Sequence, residues 1–337
     1  MKKVSVIIPC FNATKYLPKC FMSLVQQTIG IDQIELIFVD DASTDEDATW
    51  NMLQEFERAY PESIMILKLE ENMRQGGARN VALQYATGEY IAFVDADDFV
   101  AENFLLETYE KAKESDADII QFEYFYYTDR LGAVDSGRNV TPEVIKISSV
   151  SERKKFLISE KVTYGCWNKL YRHDLLKKAH TAYAEHVIYE EPLFVYPLLY
   201  FADKIVILND AYYYYRQNDA GTMRNDMKQE ETLKMHADVQ LAVWNFMKKT
   251  PFFKEYYDEI KLYFLHTYLY ETLYFAKLRD FKPSYAFYKE LEKTVITEVP
   301  DYEESTYSAL IPKQMELYRM IGEGMTEVKF KEYWERL

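Results

Sequence analysis

Basic charge is what this chain is short of. Its 337 residues carry 40 Lys and Arg against 55 Asp and Glu, a formal net charge of −15. A nucleic-acid binder needs a basic patch or stripe, and attachment to anionic lipid needs a polybasic cluster, so the composition argues against both. Cysteine is scarce as well. Cys10, Cys20 and Cys166 are too few and too scattered for a disulfide framework or a zinc site. His173, His180, His186, His236 and His266 show no metal-ligand spacing. No run of about 18 apolar residues occurs, so no membrane-spanning helix is predicted. The start, Met1-Lys2-Lys3-Val4, lacks the long apolar region and cleavage site of a signal peptide, which predicts cytoplasmic residence. Aromatic residues are plentiful: 30 Tyr and 20 Phe, in a chain that is 48% hydrophobic and can build a substantial core. Tyrosine serves chiefly as half-buried filler and also offers amphipathic contact area for sugars or interfaces.

The first hundred residues alternate two patterns. Val4–Ile8 is a β-branched strand stopped by Pro9, and Tyr16–Gln27 has helical spacing of apolar residues. Glu35–Val39 is a second strand ending at Asp40-Asp41. Ser43, Thr44 and Asp45 offer N-cap side chains for a helix to about Tyr60. Ile64–Leu69 is a third strand, Gly76-Gly77 precede a helix through Ala86, and Tyr90–Val94 is a fourth strand. Strand–helix alternation predicts an α/β fold with a mostly parallel sheet flanked by helices. Beyond it, the sequence predicts a helix to Ser115, an apolar aromatic run Ile119–Tyr127, a loop Thr128–Pro142, a short strand Trp167–Tyr171 and a helix Glu190–Phe201 limited by Pro197. Two further strands, Ile205–Leu208 and Tyr212–Arg216, are joined near Asn209-Asp210. From Met227 glycine almost disappears and helical periodicity takes over, with helices expected at Lys228–Lys248 and Phe253–Leu278. The expected organisation is a catalytic domain 1–222, with halves 1–100 and 101–222, and a helical C-terminal region 223–337.

The fourth strand ends in three carboxylates within four residues, Asp95, Asp97 and Asp98. Like charges this close repel, so folding alone gives no reason to gather them. A hard cation such as Mg²⁺ or Mn²⁺ removes the repulsion, and such ions are held by one or two carboxylates plus substrate phosphates. The carboxyl ends of the strands are where open α/β sheets bind ligands. The plainer alternative is a solvated acidic turn with Asp98 capping the next helix.

Four motifs stand in order: Ser5-Val6-Ile7-Ile8-Pro9-Cys10-Phe11-Asn12, Val39-Asp40-Asp41-Ala42-Ser43-Thr44-Asp45, Gly76-Gly77-Ala78-Arg79-Asn80 and Phe93-Val94-Asp95-Ala96-Asp97-Asp98. Together with Trp167-Asn168-Lys169-Leu170-Tyr171-Arg172, Glu190-Glu191 and Tyr215-Arg216, this set resembles glycosyltransferase family 2, inverting enzymes of the GT-A fold, over residues 1–220. The resemblance implies a Rossmann-like sheet that binds a nucleotide-sugar donor, UDP-sugars first. In it, Pro9, Phe11 and Asn12 cradle the base, Asp40 hydrogen-bonds it, and Asp41 supports the loop. Arg79 faces the base or diphosphate, Asp95 contacts the ribose, and Asp97, with Asp95, holds the metal. Glu191, or its neighbour Glu190, is the base that deprotonates the acceptor hydroxyl; the commoner residue at the Glu191 position is Asp. Arg216, followed by Asn218 and Thr222, resembles the segment that closes over the diphosphate. Trp167, Asn168 and Lys169 fall on the acceptor side. The acceptor implied is a glycan or lipid-linked hydroxyl, the setting cell-surface polysaccharide synthesis.

Two rival functions fit the residues less well. A nucleotidyltransferase would carry a Gly-rich, basic loop after the first strand, and Pro9-Cys10-Phe11-Asn12 has neither feature. A catalytically degenerate nucleotide-binding module is opposed by the intact Asp95-Ala96-Asp97. The helical region carries an aromatic series, Tyr263, Phe264, Tyr268, Leu269, Tyr274 and Phe275. Packing within the protein is its plain role, pairing as a homodimer is a second, and peripheral contact with a membrane is the least supported because no basic flank accompanies it.

Overall fold

The structure is a computed structural model that describes residues 2–217 and 230–337. The expected boundary at 222/223 lies outside the described residues, as do Asn218 and Thr222. The chain divides into two compact units, Met1–Asn218 and Asp219–Leu337.

The first unit is built on one sheet. Its elements are β1 (Val4–Cys10), α1 (Leu17–Val25), β2 (Ile34–Asp40), α2 (Ala48–Ala59), β3 (Ile64–Lys68), α3 (Arg74–Leu83), β4 (Tyr90–Phe93), β5 (Phe99–Val100) and α4 (Phe104–Ser115). They continue with β6 (Ile119–Thr128), β7 (Gly132–Asp135), β8 (Glu143–Lys146), α5 (Val150–Leu157), β9 (Lys169–Arg172), α6 (His173–Ala179), α7 (Glu191–Phe201) and β10 (Lys204–Arg216). The strand order is β3-β2-β1-β4-β9-β6-β10-β5, with β7 added to β6 and β8 to β10. Four of the seven pairings along that path are parallel, so the sheet is mostly parallel as expected. The β-branched runs of β1 and β2 are interior strands of its parallel half, where Val4, Val6, Ile8, Leu36 and Phe38 are buried in one core with Leu17, Phe21, Leu24 and Leu53 of α1 and α2. Phe21 stacks on Phe56 with ring centroids 3.7 Å apart. Each such side chain contributes about 1.5–3 kcal/mol through burial.

Several elements differ from the sequence reading, each for a local reason. Pro9 does not stop β1; it pairs with Val39 on the β2 side. β4 pairs only with Val4–Ile7, so the missing Pro9 N–H falls beyond that strand's reach. Ser43 and Thr44 do not cap α2. Asp45 does the capping work, its carboxylate accepting from the Thr49 N–H at 3.1 Å and the Thr49 hydroxyl at 2.5 Å. Gly76 and Gly77 lie inside α3 rather than before it. The stretch Lys204–Arg216 is one strand with irregular register around Ala211, not two strands. The loop read at 128–142 contains β7.

The second unit is helical: α8 (Glu230–Met247), α9 (Tyr257–Phe264), a π-helical stretch Leu265–Glu271, α10 (Thr272–Leu278), α11 (Tyr285–Glu298), α12 (Pro312–Gly322) and α13 (Glu327–Arg336). Tyr263, Phe264, Tyr268 and Leu269 are buried in it, whereas Tyr274 is exposed. Packing therefore takes most of the aromatic series. Among the described residues no helix is long and apolar enough to cross a membrane.

Candidate active site

Loops after β1, β2 and β4 meet at the carboxyl edge of the sheet. Asn12 takes the left-handed conformation, φ 48°, which Asn tolerates better than most residues. It clamps the first loop to the second: its N–H donates to Ser43 Oγ (3.0 Å), its Oδ1 accepts from the Thr44 N–H (2.8 Å), and its Nδ2 donates to Thr44 Oγ1 (3.2 Å). Ser43 and Thr44 are engaged here, which is why they cap nothing. Phe11 stands at the rim, 47% exposed. Asp40 is buried at the end of β2. Its Oδ1 accepts from the Ser43 N–H (3.0 Å), and its Oδ2 is buried with no partner. Asp41 ties in the third loop by accepting from the Met73 N–H at 2.7 Å. Burial pushes the Asp41 carboxyl up to about 6, against the opposing pull of that backbone donor.

Arg79, expected to face the base or diphosphate, is buried at the sheet edge. It is 2% exposed on α3. One guanidinium nitrogen meets Asp95 Oδ1 and the other Glu190 Oε1, both at 2.6 Å. Two carboxylates, one from the end of β4 and one from the start of α7, draw the cation inward. Glu190 also accepts from Gln75 Nε2 at 3.3 Å. Gly76 is what lets Glu190 reach α3: a Cβ there would collide with the Ala184 carbonyl and the Glu190 side chain. Burial raises the Glu190 carboxyl to about 7; Arg79 opposes the rise and neighbouring Glu191 adds to it.

The aspartate run divides its work. Asp98 is buried and neither caps a helix nor faces solvent. Its oxygens accept from the Tyr213 hydroxyl (2.7 Å) and the Arg216 N–H (2.6 Å), nailing the loop to β10. Burial, then the charges of Asp97 and Asp95, push its carboxyl well above the usual range. Asp95 and Asp97 stay half-buried at the surface of the loop. Arg216, expected over the diphosphate, is tied to this loop. Its Nε donates to the Asp97 carbonyl (2.7 Å) and its Nη1 to Asp129 (2.6 Å). Its guanidinium lies over the rings of Tyr16 (4.6 Å), Tyr127 (5.0 Å) and Phe99 (5.9 Å). Three aromatic faces and an acid hold it inward more strongly than solvent would.

Glu191 opens α7, half-buried, and the Cys166 N–H donates to its Oε1 at 2.9 Å. Beside it Trp167 stacks on Tyr215, rings nearly parallel with centroids 5.3 Å apart, and packs edge-on against Tyr124. Among the described residues no three His, Cys, Asp or Glu side chains gather as a metal site. Asp95 and Asp97 are the carboxylates that could share a hard cation with a ligand's phosphates. Pro9, Asn12, Asp40, Arg79, Asp95, Asp97, Glu190 and Glu191 thus converge on one edge. Sequence reasoning missed Gln75, Tyr213 and the Cys166 amide. A backbone donor leaves no mark in a side-chain pattern, and Tyr213 is one of 30 tyrosines.

Comparison with known proteins agrees with this geometry. Residues 5–179 match the sequence model of glycosyl transferase family 2. Glycosyltransferase GlyG of Streptococcus pneumoniae serotype 4 is 31% identical over 233 residues, covering 66% of this chain and 73% of that protein. A poly(ribitol-phosphate) beta-glucosyltransferase of Bacillus spizizenii is 30% identical over 215 residues, 63% of this chain. This chain spans only 32% of that relative's length. The fold is that of Staphylococcus aureus TarS residues 1–349 in complex with UDP, with a TM-score of 0.70 at 21% identity, covering 98% of this chain and 89% of that one. The family match spans more than half of the chain and takes in all four ordered motifs of the sheet edge; the chain belongs to glycosyltransferase family 2.

Proposed function

We propose that the chain transfers a sugar from a UDP-sugar to a hydroxyl of a polyol-phosphate or related glycan, with inversion, in the cytoplasmic synthesis of a surface polysaccharide. The observation that carries this reading is the bridge Glu190–Arg79–Asp95, which ties the start of α7, and so Glu191, to the aspartate loop. Donor-side and acceptor-side carboxylates are thereby set by one buried cation. The poly(ribitol-phosphate) transferases of Bacillus and Staphylococcus supply the acceptor class, and the Staphylococcus TarS complex with UDP supplies the nucleotide.

In this reading Phe11 stacks on the uracil and the unpartnered Asp40 Oδ2 accepts its imide N–H. Asp95 meets the ribose. Asp97, with Asp95, would hold Mg²⁺ or Mn²⁺; two clustered half-buried carboxylates fit a hard cation whose other ligands are phosphate oxygens. Such a cation neutralises charge that develops on the leaving diphosphate. Glu191 accepts the proton of the acceptor hydroxyl as that oxygen bonds to the anomeric carbon. The bond from that carbon to UDP breaks on the opposite face, and UDP leaves with the electron pair. An α-linked donor gives a β-linked product. Glu190, whose oxygens are taken by Arg79 and Gln75, positions rather than accepts. Arg216 holds the Asp97 backbone.

The test is to incubate the full chain and Mn²⁺ with UDP-glucose or UDP-N-acetylglucosamine and a ribitol-phosphate oligomer, and to read the product by NMR. A β-linked glycosyl oligomer, lost with chelator, is expected. An α-linked product, or no transfer to any hydroxyl with either donor, overturns the proposal.

A further inference from the structure

Lys169 is the first residue of β9 and is 0% exposed. Among the described residues no carboxylate lies within ion-pair distance of it. Its ammonium group has three donors, and all three are engaged on one turn: Thr163 Oγ1 at 2.9 Å, the Gly165 carbonyl at 2.6 Å and Asn168 Oδ1 at 2.8 Å. The same turn is fixed to β6. Gln121 Oε1 accepts from the Thr163 N–H (2.9 Å), and Asn168 Nδ2 donates to the Phe122 carbonyl (3.2 Å). In the middle of the turn stands Cys166, whose N–H holds Glu191 Oε1.

Burying an ammonium without a paired acid costs several kcal/mol, and an apolar side chain of similar length would fill the space without that cost. The cation's value lies in what it organises. We propose that Lys169 is the positioning residue of Glu191: it fixes the Thr163–Asn168 turn so that the Cys166 amide grips one carboxylate oxygen and leaves the other to the acceptor hydroxyl. This rests on the reading of Glu191 as the base. The charged and titratable groups that face Lys169 are Glu191 of α7, Glu123 of β6, Arg138 after β7, and Cys166 itself. Burial brings the Lys169 ammonium down to about 7, with Glu191 and Glu123 opposing.

The chain holds three cysteines, Cys10, Cys20 and Cys166, so ¹⁵N-cysteine labelling gives three backbone amide signals. Glu191→Gln assigns the Cys166 signal. In Lys169→Met that signal is expected to move while Cys10 and Cys20 stay in place. With UDP-glucose or UDP-N-acetylglucosamine and the ribitol-phosphate oligomer, kcat should fall about 10- to 100-fold while donor KM stays within about twofold. Thr163→Val, which removes one of the three acceptors at nearly constant volume, should move signal and kcat the same way by less. If Lys169→Met disturbs all three signals, Thr163→Val decides alone. Should the Cys166 signal and kcat stay at wild-type values in both variants, the positioning role is wrong, even where Glu191→Gln abolishes transfer. Should Glu191→Gln transfer at the wild-type rate, the base assignment itself is wrong, and the positioning role goes with it.

Discussion

The two units bury charge in opposite ways. In residues 230–337 each buried charged group is satisfied by a partner close by: Lys261 by Asp301 at 2.6 Å, Glu292 by Lys289 and Tyr288, Glu259 by Tyr307. In residues 2–217 the buried charges at the sheet edge form two networks: Gln75 to Glu190 to Arg79 to Asp95, and Tyr213 to Asp98 to Arg216 and the Asp97 carbonyl. Both units also contain buried polar atoms without hydrogen-bond partners, Asp40 Oδ2 in one and the Tyr318 hydroxyl in the other. An orphan atom by itself therefore does not mark a site. What separates the two is convergence. The first unit's network ends in half-buried carboxylates at a strand edge, whereas the second unit's pairs end in each other.

The sharpest way to break this contrast is to remove its reactive end. Glu191→Gln keeps the Cys166 contact but cannot accept a proton, and transfer is expected to fall about 10²- to 10⁴-fold with UDP binding retained. Removing the network's centre acts on the fold instead. Arg79→Met leaves Glu190 and Asp95 facing each other without a cation, and the urea midpoint at neutral pH should drop by the equivalent of about 3–5 kcal/mol. A smaller loss would mean that water replaces the guanidinium and that the bridge is not the organising feature. Asp97→Asn is the converse case. Transfer should fall about 10²- to 10³-fold, yet the unfolding midpoint should hold or rise, because one of three crowded like charges is gone. A stability loss there would show that Asp97 is structural.

How much of this was legible depended on how local the cause was. The four ordered motifs, three of them at strand ends, each carry their signal within a few residues, so the parallel half of the sheet and the edge where the site lies could be read directly. Gly76 was visible, but its reason is Glu190, more than a hundred residues later. Arg79 near a helix start reads as facing the base or diphosphate, and the two acids that bracket it are brought together only by the fold. The surroundings of Arg216 were hidden in the same way: its aromatic and acidic neighbours come from the α1 side, β5 and the end of β6. Asn209-Asp210 has the composition of a turn, yet β6 pairs with Ile205–Ile207 before it and again from Ala211 after it, and β10 runs through with a shift of register. In each case tertiary contacts outweighed a local preference of about 1 kcal/mol or less.

The smallest effect tests the other side of the comparison, that buried polar groups of the second unit serve stability alone. His236 on α8 is buried, with Nδ1 2.8 Å from Thr272 Oγ1 of α10 and its ring edge-on to Phe275. Burial lowers its pKa to about 4, with Glu271 opposing. The native state thus keeps the ring neutral where the unfolded chain takes up a proton. Its contribution is complete above the unfolded value, near 6.5, and is lost as pH falls toward 4. Between about pH 7.0 and pH 5.5 the loss amounts to about 1 kcal/mol. Urea unfolding of the full chain, read by hydrogen exchange in peptides from 230–278, should show that loss. His236→Asn, which does not titrate, should show it reduced by the same amount, with transfer at neutral pH unchanged within about twofold. If the variant instead altered transfer while its pH dependence of stability matched the wild type, His236 would belong to function, and the division between a converging and a pairwise network would fail at that residue.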